Sequence, residues 1–242
     1  MEAIKIEGLT KHYGDVVAVD GLSLCINEGE LFSLLGVNGA GKTTTVKMLS
    51  CLTKPTAGDA YVLGKSITKD AAAVKSLIAV SPQESAVAPL LSVRENLELI
   101  SGVHGFTREK RNERIGELAT LLGLDAVMSR KASKLSGGWQ RRLSIAMALI
   151  SDPKILFLDE PTLGLDVIAR SDLWDMIRSL KGRVTVILTT HYMEEAEMLS
   201  DRIAIMRDGK LLICDTSAGI KEAAQANDLE QAFVRIVKGV AQ

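Results

Sequence analysis

The order of apolar patterns along this sequence predicts an α/β fold. It has a mostly parallel sheet, an N-terminal antiparallel β-subdomain and an inserted α-helical subdomain. Three observations carry that prediction. Compact apolar runs at 31–35, 155–158 and 184–189 have the continuity of strands buried on both faces. Helical spacing, notably over 169–180, separates some of the later strands, which is how parallel strands are connected. Between about 89 and 150 the strand signals stop and charged residues sit between aliphatic ones at helical intervals.

The elements follow in order. Residues 3–9 and 16–24 carry short, near-alternating patterns that suit strands with one buried face. The run at 31–35 stops at a glycine-rich loop, and helical spacing takes over from 43 towards 52. Lys54, Pro55, Thr56, Ala57 and Gly58 read as a turn into a strand at 61–63. A strand at 77–80 is ended by Pro82. Ser92 with Glu95 fits a capping box ahead of Leu97, Leu99 and Ile100. Helices are predicted over 107–122 and 136–150, and strands at 155–158, 184–189, 203–207 and 211–214. The pattern is that of one domain over 1–242 with a short tail from about 217.

Composition removes several functions. Twenty-nine Lys and Arg against 30 Asp and Glu leave a net charge of -1 in 242 residues. No nucleic-acid partner is expected, since a broad footprint on that polymer needs a basic excess. A membrane-spanning helix needs about 20 mostly apolar residues, and stretches such as 145–150 and 155–158 are far shorter. The first seven residues alternate charged and aliphatic side chains, unlike a signal peptide. Cys25, Cys51 and Cys214 have no ligand spacing and read as small buried apolar residues in a reducing compartment. A soluble intracellular chain is expected.

Gly36, Val37, Asn38, Gly39, Ala40, Gly41, Lys42 and Thr43 match G-x-x-x-x-G-K-[ST] completely. Glycines let backbone N–H groups turn inward around phosphate oxygens, and the helix that follows presents its positive end. Lys42 reaches the β and γ phosphates, and the Thr43 hydroxyl is placed to ligate Mg²⁺. With a strand before and a helix after, a chance glycine turn ahead of a lysine is the weaker reading, and the sheet becomes a P-loop NTPase core.

The strand ILFLDE then ends in two carboxylates, Asp159 and Glu160. In P-loop enzymes the acid at this strand end holds the Mg²⁺ shell, which assigns Asp159. Glu160 is the candidate to polarise the attacking water. Pro161 is expected to hold Glu160 in an extended backbone and so fix its direction. Alone, such a strand end reads as a solvated loop; paired with the phosphate loop, it reads as catalytic.

A second anion-binding helix start is written in LSGGWQ. Ser136, Gly137 and Gly138 offer a hydroxyl and open N–H groups at a positive helix end, with no lysine or metal carboxylate of their own. In isolation the segment reads as a serine-capped helix. One nucleotide does not need two such sites in one chain, whereas a site split between two subunits does.

The phosphate loop, LSGGWQ and ILFLDE, in this order and separation, resemble the ATP-binding-cassette (ABC) ATPases over nearly the whole chain. The resemblance implies a head-to-tail pair of nucleotide-binding subunits, homodimer or heterodimer, with ATP and Mg²⁺ as cofactors. Ser136, Gly137 and Gly138 of one subunit close on the γ-phosphate held by the other's loop, where Gly36, Asn38, Gly39, Gly41, Lys42, Thr43 and Thr44 bind the nucleotide. Tyr13 matches the aromatic residue that stacks on adenine. Gln83 matches the glutamine that senses Mg²⁺ and the attacking water and touches the transport partner. His191 matches the switch histidine at the γ-phosphate, and Leu163, Gly164, Leu165 and Asp166 match the loop that crosses the dimer interface. His12 and His104 match no role and read as surface residues. Lys131, Lys134, Arg141 and Arg142 read as a local basic cluster, solvated or facing the dimer.

Two positions depart from the family pattern. Val37 replaces a common proline, which changes stiffness rather than chemistry. Trp139 stands where many relatives carry a smaller or polar residue, which leaves the backbone contacts intact. The resemblance implies a transporter's energising subunit, held at the cytoplasmic face of the cell membrane by a transmembrane permease. The apolar segment 85–96 (SAVAPLLSVREN) beside Gln83 fits a groove for that partner, with core packing as the alternative. The segments LTKHYGDVVAVDGLSL and DLEQAFVRIV look like drug, lipid-linked sugar or ion exporters. A soluble single-cassette ATPase, such as an Fe–S assembly factor, is the alternative class. The span from Lys42 to Asp159 is too short for the coiled coil of chromosome ATPases, and ribosome-acting members usually carry two cassettes.

Overall fold

The structure, a computed structural model, describes residues 1–84 and 86–239. Its main sheet is built from β3 (Leu31–Leu35), β6 (Ile78–Ser81), β7 (Ile155–Asp159), β8 (Thr185–Thr190), β9 (Arg202–Arg207) and β10 (Lys210–Asp215), in the order β10-β9-β3-β8-β7-β6. The pairings β9–β3, β3–β8, β8–β7 and β7–β6 are parallel, and only the β10 edge is antiparallel. Period-two alternation explains why the central strands are apolar throughout. Leu156 and Leu158 of β7 pack on one face with the helices, while Ile155 and Phe157 pack on the other.

The second sheet is antiparallel at every pairing, in the order β2-β1-β4-β5, from β1 (Glu2–Tyr13), β2 (Val16–Asn27), β4 (Ala57–Val62) and β5 (Lys65–Ser66). It is not confined to the start of the chain, because β4 and β5 arrive from beyond the phosphate loop. Between the sheets runs α1 (Lys42–Leu49), shorter than the spacing predicted. The chain leaves it at Ser50, and Cys51 turns to φ 56°. Leu49, Met48 and Val46 of α1 join Ile4, Leu9 and Phe157 in one core. A short α2 (Ala71–Leu77), absent from the sequence expectation, precedes β6.

The helical insertion lies between β6 and β7 as α3 (Val93–Val103), α4 (Arg108–Leu121) and α5 (Gly137–Leu149), joined by short 3₁₀ turns. Ser92 accepts from the Glu95 N–H and the Glu95 carboxylate accepts from the Ser92 N–H, the reciprocal cap that fixes where α3 begins. Then follow α6 (Val167–Ser179), α7 (Met193–Leu199), α8 (Ser217–Ala223) and α9 (Leu229–Lys238). The tail is therefore not loose: α8 and α9 bury Ile220, Leu229 and Phe233 against β9 and α7. Residues 240–242 of the expected tail lie outside the described residues. Among the described residues no helix is long and apolar enough to cross a membrane. The three cysteines are free and half-buried rather than fully buried.

Candidate functional site

Parallel pairing sets the geometry. The carboxyl ends of β3, β6, β7 and β8 reach one edge of the sheet, where open α/β sheets bind ligands. They deliver there Gly36, Gln83, the Asp159–Glu160 pair and His191. A cleft of about 660 Å³ opens at that edge, lined by Tyr13, Asn38, Gly39, Gly41, Lys42, Thr43, Thr44, Gln83, Glu160 and His191, with the Val16, Val17 and Ala18 side of β2 and Leu163 completing its walls. Asp159 lies beneath it, bonded to Thr43.

The loop holds its lysine over its own carbonyls. Lys42 Nζ donates to Gly36 O at 2.8 Å and to Val37 O at 3.2 Å, and the side chain is 5% exposed. Burial pulls its pKa down from the ordinary lysine value; the nearby Glu160 and Asp159 carboxylates push it back up. Gly41 makes the turn into α1 possible. Its φ is 100°, and a Cβ there would sit 2.5 Å from Ala18 O. Beside the lysine, Thr43 Oγ1 donates to Asp159 Oδ1 at 3.2 Å, and Thr189 Oγ1 donates to the same oxygen. Two hydroxyls, one from the first turn of α1 and one from β8, thus meet at one carboxylate oxygen of the cleft floor.

Glu160 Oε1 stands 3.7 Å from Lys42 Nζ and 3.3 Å from His191 Nδ1. The histidine contact is close without being aligned, so among the described residues Nδ1 has no hydrogen-bonding partner. The expectation of an extended Glu160 fails: its φ is 45°, in the left-handed region. The reason is tertiary. The Glu160 N–H donates to both Thr189 O and Thr189 Oγ1, each at 3.1 Å. A proline at the next position favours extended backbone, and this double anchor on Thr189 overrides that preference.

The basic cluster dissolves in the same way. Lys131 and Lys134 are exposed, but Arg141 is 4% exposed and points inward. Its guanidinium donates to Pro82 O, Gln83 O and Glu160 O at 2.5, 2.5 and 3.2 Å. Burial lowers its pKa, with Asp159 and Glu195 opposing. Arg142, one residue on, turns to the other side, donating to Leu122 O and Asp172 O and stacking over Trp139.

Tyr13, at the end of β1, is 47% exposed at the cleft mouth with Lys11 Nζ 5.0 Å from its ring. Ser136, Gly137, Gly138 and Asp166 lie outside the cleft of their own chain. Ser136 occupies the cap position of α5, yet its hydroxyl makes no capping bond and is exposed. Gly138 packs closely on α6: a Cβ there would approach Ala169 Cβ to 3.2 Å. Asp166 caps α6, accepting from the Ala169 N–H at 2.9 Å. His12 and His104 are exposed, as expected.

Two contributors escaped sequence reasoning, Thr189 and Arg141. The apolar strand running into Thr189 and Thr190 was a usable signal for the first, because a hydroxyl at a buried strand end needs a partner. The segment 85–96 is divided. Val87 packs on the core, Leu90 is 76% exposed, and Ser85 lies outside the described residues. Buried Asn96 pins the segment, donating to Ala88 O, Leu91 O and Ser92 O.

Comparison with known proteins adds family. Residues 19–163 match the family described as "ABC transporter", and 127–231 match "AAA domain, putative AbiEii toxin, Type IV TA system". The chain is 41% identical to the daunorubicin resistance ATP-binding protein DrrA3 of Streptomyces coeruleorubidus, over 90% of this chain and 70% of that one. It is 41% identical to the human phospholipid-transporting ATPase ABCA3 over 90% of its own length, but spans only 13% of that relative. A solved dimeric structure of the ATP-binding cassette MJ0796, in a post-hydrolysis state with ADP and Pi, superposes with a TM-score of 0.76. It is 29% identical, with 88% of this chain and 98% of that one covered.

Proposed function

The chain belongs to the ABC transporter family as one of its ATP-hydrolysing cassettes, and from that premise we propose that it couples Mg-ATP hydrolysis at a head-to-tail dimer interface to export through a separate membrane partner. One observation carries the reading. A phosphate-loop cleft and an unengaged second anion site, Ser136 with Gly137 and Gly138, lie apart in the same chain. Two copies, or this chain and a similar one, would complete each other's cleft.

The residues divide the work. Lys42 brings positive charge to the β and γ phosphates, and Tyr13 stacks on the base. The loop from Gly36 to Thr44 cradles the phosphates, with Asn38, Gly39 and Gly41 between. Thr43, Asp159 and Gln83 would hold Mg²⁺. The donors suit it: they are hard oxygens, and the Thr43 hydroxyl already meets the Asp159 carboxylate. Among the described residues no group of three or more His, Cys, Asp or Glu side chains is placed to hold a metal ion. Few protein ligands plus substrate phosphates is the usual Mg²⁺ arrangement. When bound, the ion neutralises charge developing on the phosphates. Glu160 takes the proton of the attacking water, oriented by its double anchor on Thr189. His191 lies beside that carboxylate and contacts the γ-phosphate. Asp166, on the loop between Glu160 and α6, crosses to the partner subunit.

The exposed Leu90, a few residues after Gln83 in the sequence and on a segment stiffened by Asn96, supports a surface for a transmembrane permease at the cytoplasmic face of the membrane. The relatives' names, drug resistance and phospholipid transport, support transport over an Fe–S assembly role. The test is a mild-detergent pull-down of the chain from native membranes, with mass spectrometry of what stays bound in stoichiometric amount. A multispanning protein is the expected result. Recovery only from cytosol, or with ribosomal or Fe–S proteins, would overturn the transport reading.

A further inference from the structure

We propose that Arg141 is a positioning residue joining the two halves of the machinery. It clamps Gln83 and Glu160 of a subunit's own cleft to the helix whose start meets the partner's nucleotide. This deepens the function proposed above and rests on it.

Arg141 lies one turn inside α5, the helix that opens with Gly137 and Gly138. Among the described residues, the hydrogen-bonding partners of its guanidinium nitrogens are the backbone carbonyls of Pro82, Gln83 and Glu160. A buried cation satisfied by carbonyls rather than by a contacting carboxylate is costly to bury, so a purely structural site would favour an apolar residue. The three oxygens also come from two different places: the segment after β6 and the end of β7. They converge only while both segments hold their positions, and the planar guanidinium fork requires that convergence.

Glu160 is the sensitive end of the clamp. It sits in the left-handed region, a strained conformation for a non-glycine residue that persists only when its surroundings over-determine it. Thr189 holds its N–H and Arg141 its carbonyl. When Ser136, Gly137 and Gly138 engage a nucleotide across the dimer, any shift of α5 reaches the Glu160 backbone and the Gln83 segment through one side chain. The carboxylate that activates water would then be set in place by occupancy of the opposite site.

The test is steady-state ATP turnover of the parent chain, Arg141→Met, Arg141→Lys, Glu160→Gln and the double variant Arg141→Met/Glu160→Gln. Thermal shift with Mg-ATP reports folding and nucleotide binding. Arg141→Met is expected to lower kcat at least about tenfold with KM within about twofold of the parent, the mark of an interaction realised beyond ground-state binding. Arg141→Lys, which keeps charge without the fork, is expected to fall between. Because one arm of the clamp acts through Glu160, the two slowdowns are expected to combine to clearly less than their product in the double variant. A kcat for Arg141→Met equal to the parent's, or slowdowns that multiply in the double variant, would overturn the clamp. If Arg141→Met loses its Mg-ATP thermal shift, Arg141→Lys decides: parental kcat refutes the clamp, a lower kcat at parental KM supports it. An inactive parent chain would instead sink the function proposed above.

Discussion

The cleft floor and the start of α5, the two proposed phosphate sites, are finished to different degrees. At the floor the polar side chains converge on one another: Lys42 on two carbonyls, Thr43 and Thr189 on Asp159, Glu160 beside both Lys42 and His191. At the start of α5 the backbone is equally well set, with Gly138 packed on Ala169, yet the Ser136 hydroxyl is exposed and makes no cap. A helix cap left unmade forgoes about 0.5–2 kcal/mol. The contrast separates a floor whose side chains meet within one chain from a helix start whose cap is left unmade.

That contrast can be broken from either side. The largest effect belongs to the floor. Glu160→Gln is expected to lower turnover by about 10²–10⁴-fold, the range of general-base assistance, with ATP binding intact by fluorescence titration. Turnover at the parental rate would remove Glu160 from the chemistry. Ser136→Arg attacks the other surface. It is expected to leave nucleotide affinity unchanged and to reduce turnover at least about tenfold through a transition state that lacks its partner contact. A loss of affinity in the isolated chain would place Ser136 in its own cleft instead. Tyr13→Ala is smaller and falls on binding alone. Lost stacking worth about 1–3 kcal/mol lowers ATP affinity, while Tyr13→Trp is expected to restore it; equal affinities across the series would refute stacking.

The smallest effect concerns stability. Burial lowers the Lys42 pKa from its ordinary 10.5, so the folded state disfavours the charged form. Below the lowered value that penalty is fully present. It fades as pH rises from the lowered value to the ordinary one, and fold stability gains over that window. Lys42→Met should flatten this rise, raise the melting temperature of the nucleotide-free chain at neutral pH, and abolish its shift with Mg-ATP. An unchanged pH profile of melting would show that the carbonyl bonds and neighbouring carboxylates offset burial.

The same two regions differ in how much of them the sequence disclosed. The phosphate loop was legible because chemistry dictates its residue order, and the Ser92–Glu95 box because both of its bonds are local. Arg141 was not. It stands next to Arg142 in a run that reads as basic, but neighbours on a helix point about 100° apart, and one went inward. Glu160 was misjudged because a local rule about proline was asked to decide what Thr189, 29 residues away, settles by holding its N–H. The small antiparallel sheet was only half legible, since β4 pairs with β1 across the intervening phosphate loop and α1. Strand partners at that separation leave no local pattern.

The central claim is that a second subunit completes the cleft, and sedimentation of the Glu160→Gln chain with and without Mg-ATP tests it most directly. Nucleotide trapped without turnover should convert monomer to dimer, and adding Ser136→Arg should return it to monomer. A chain that stays monomeric with Mg-ATP bound, or a dimer indifferent to Ser136→Arg, would contradict the account.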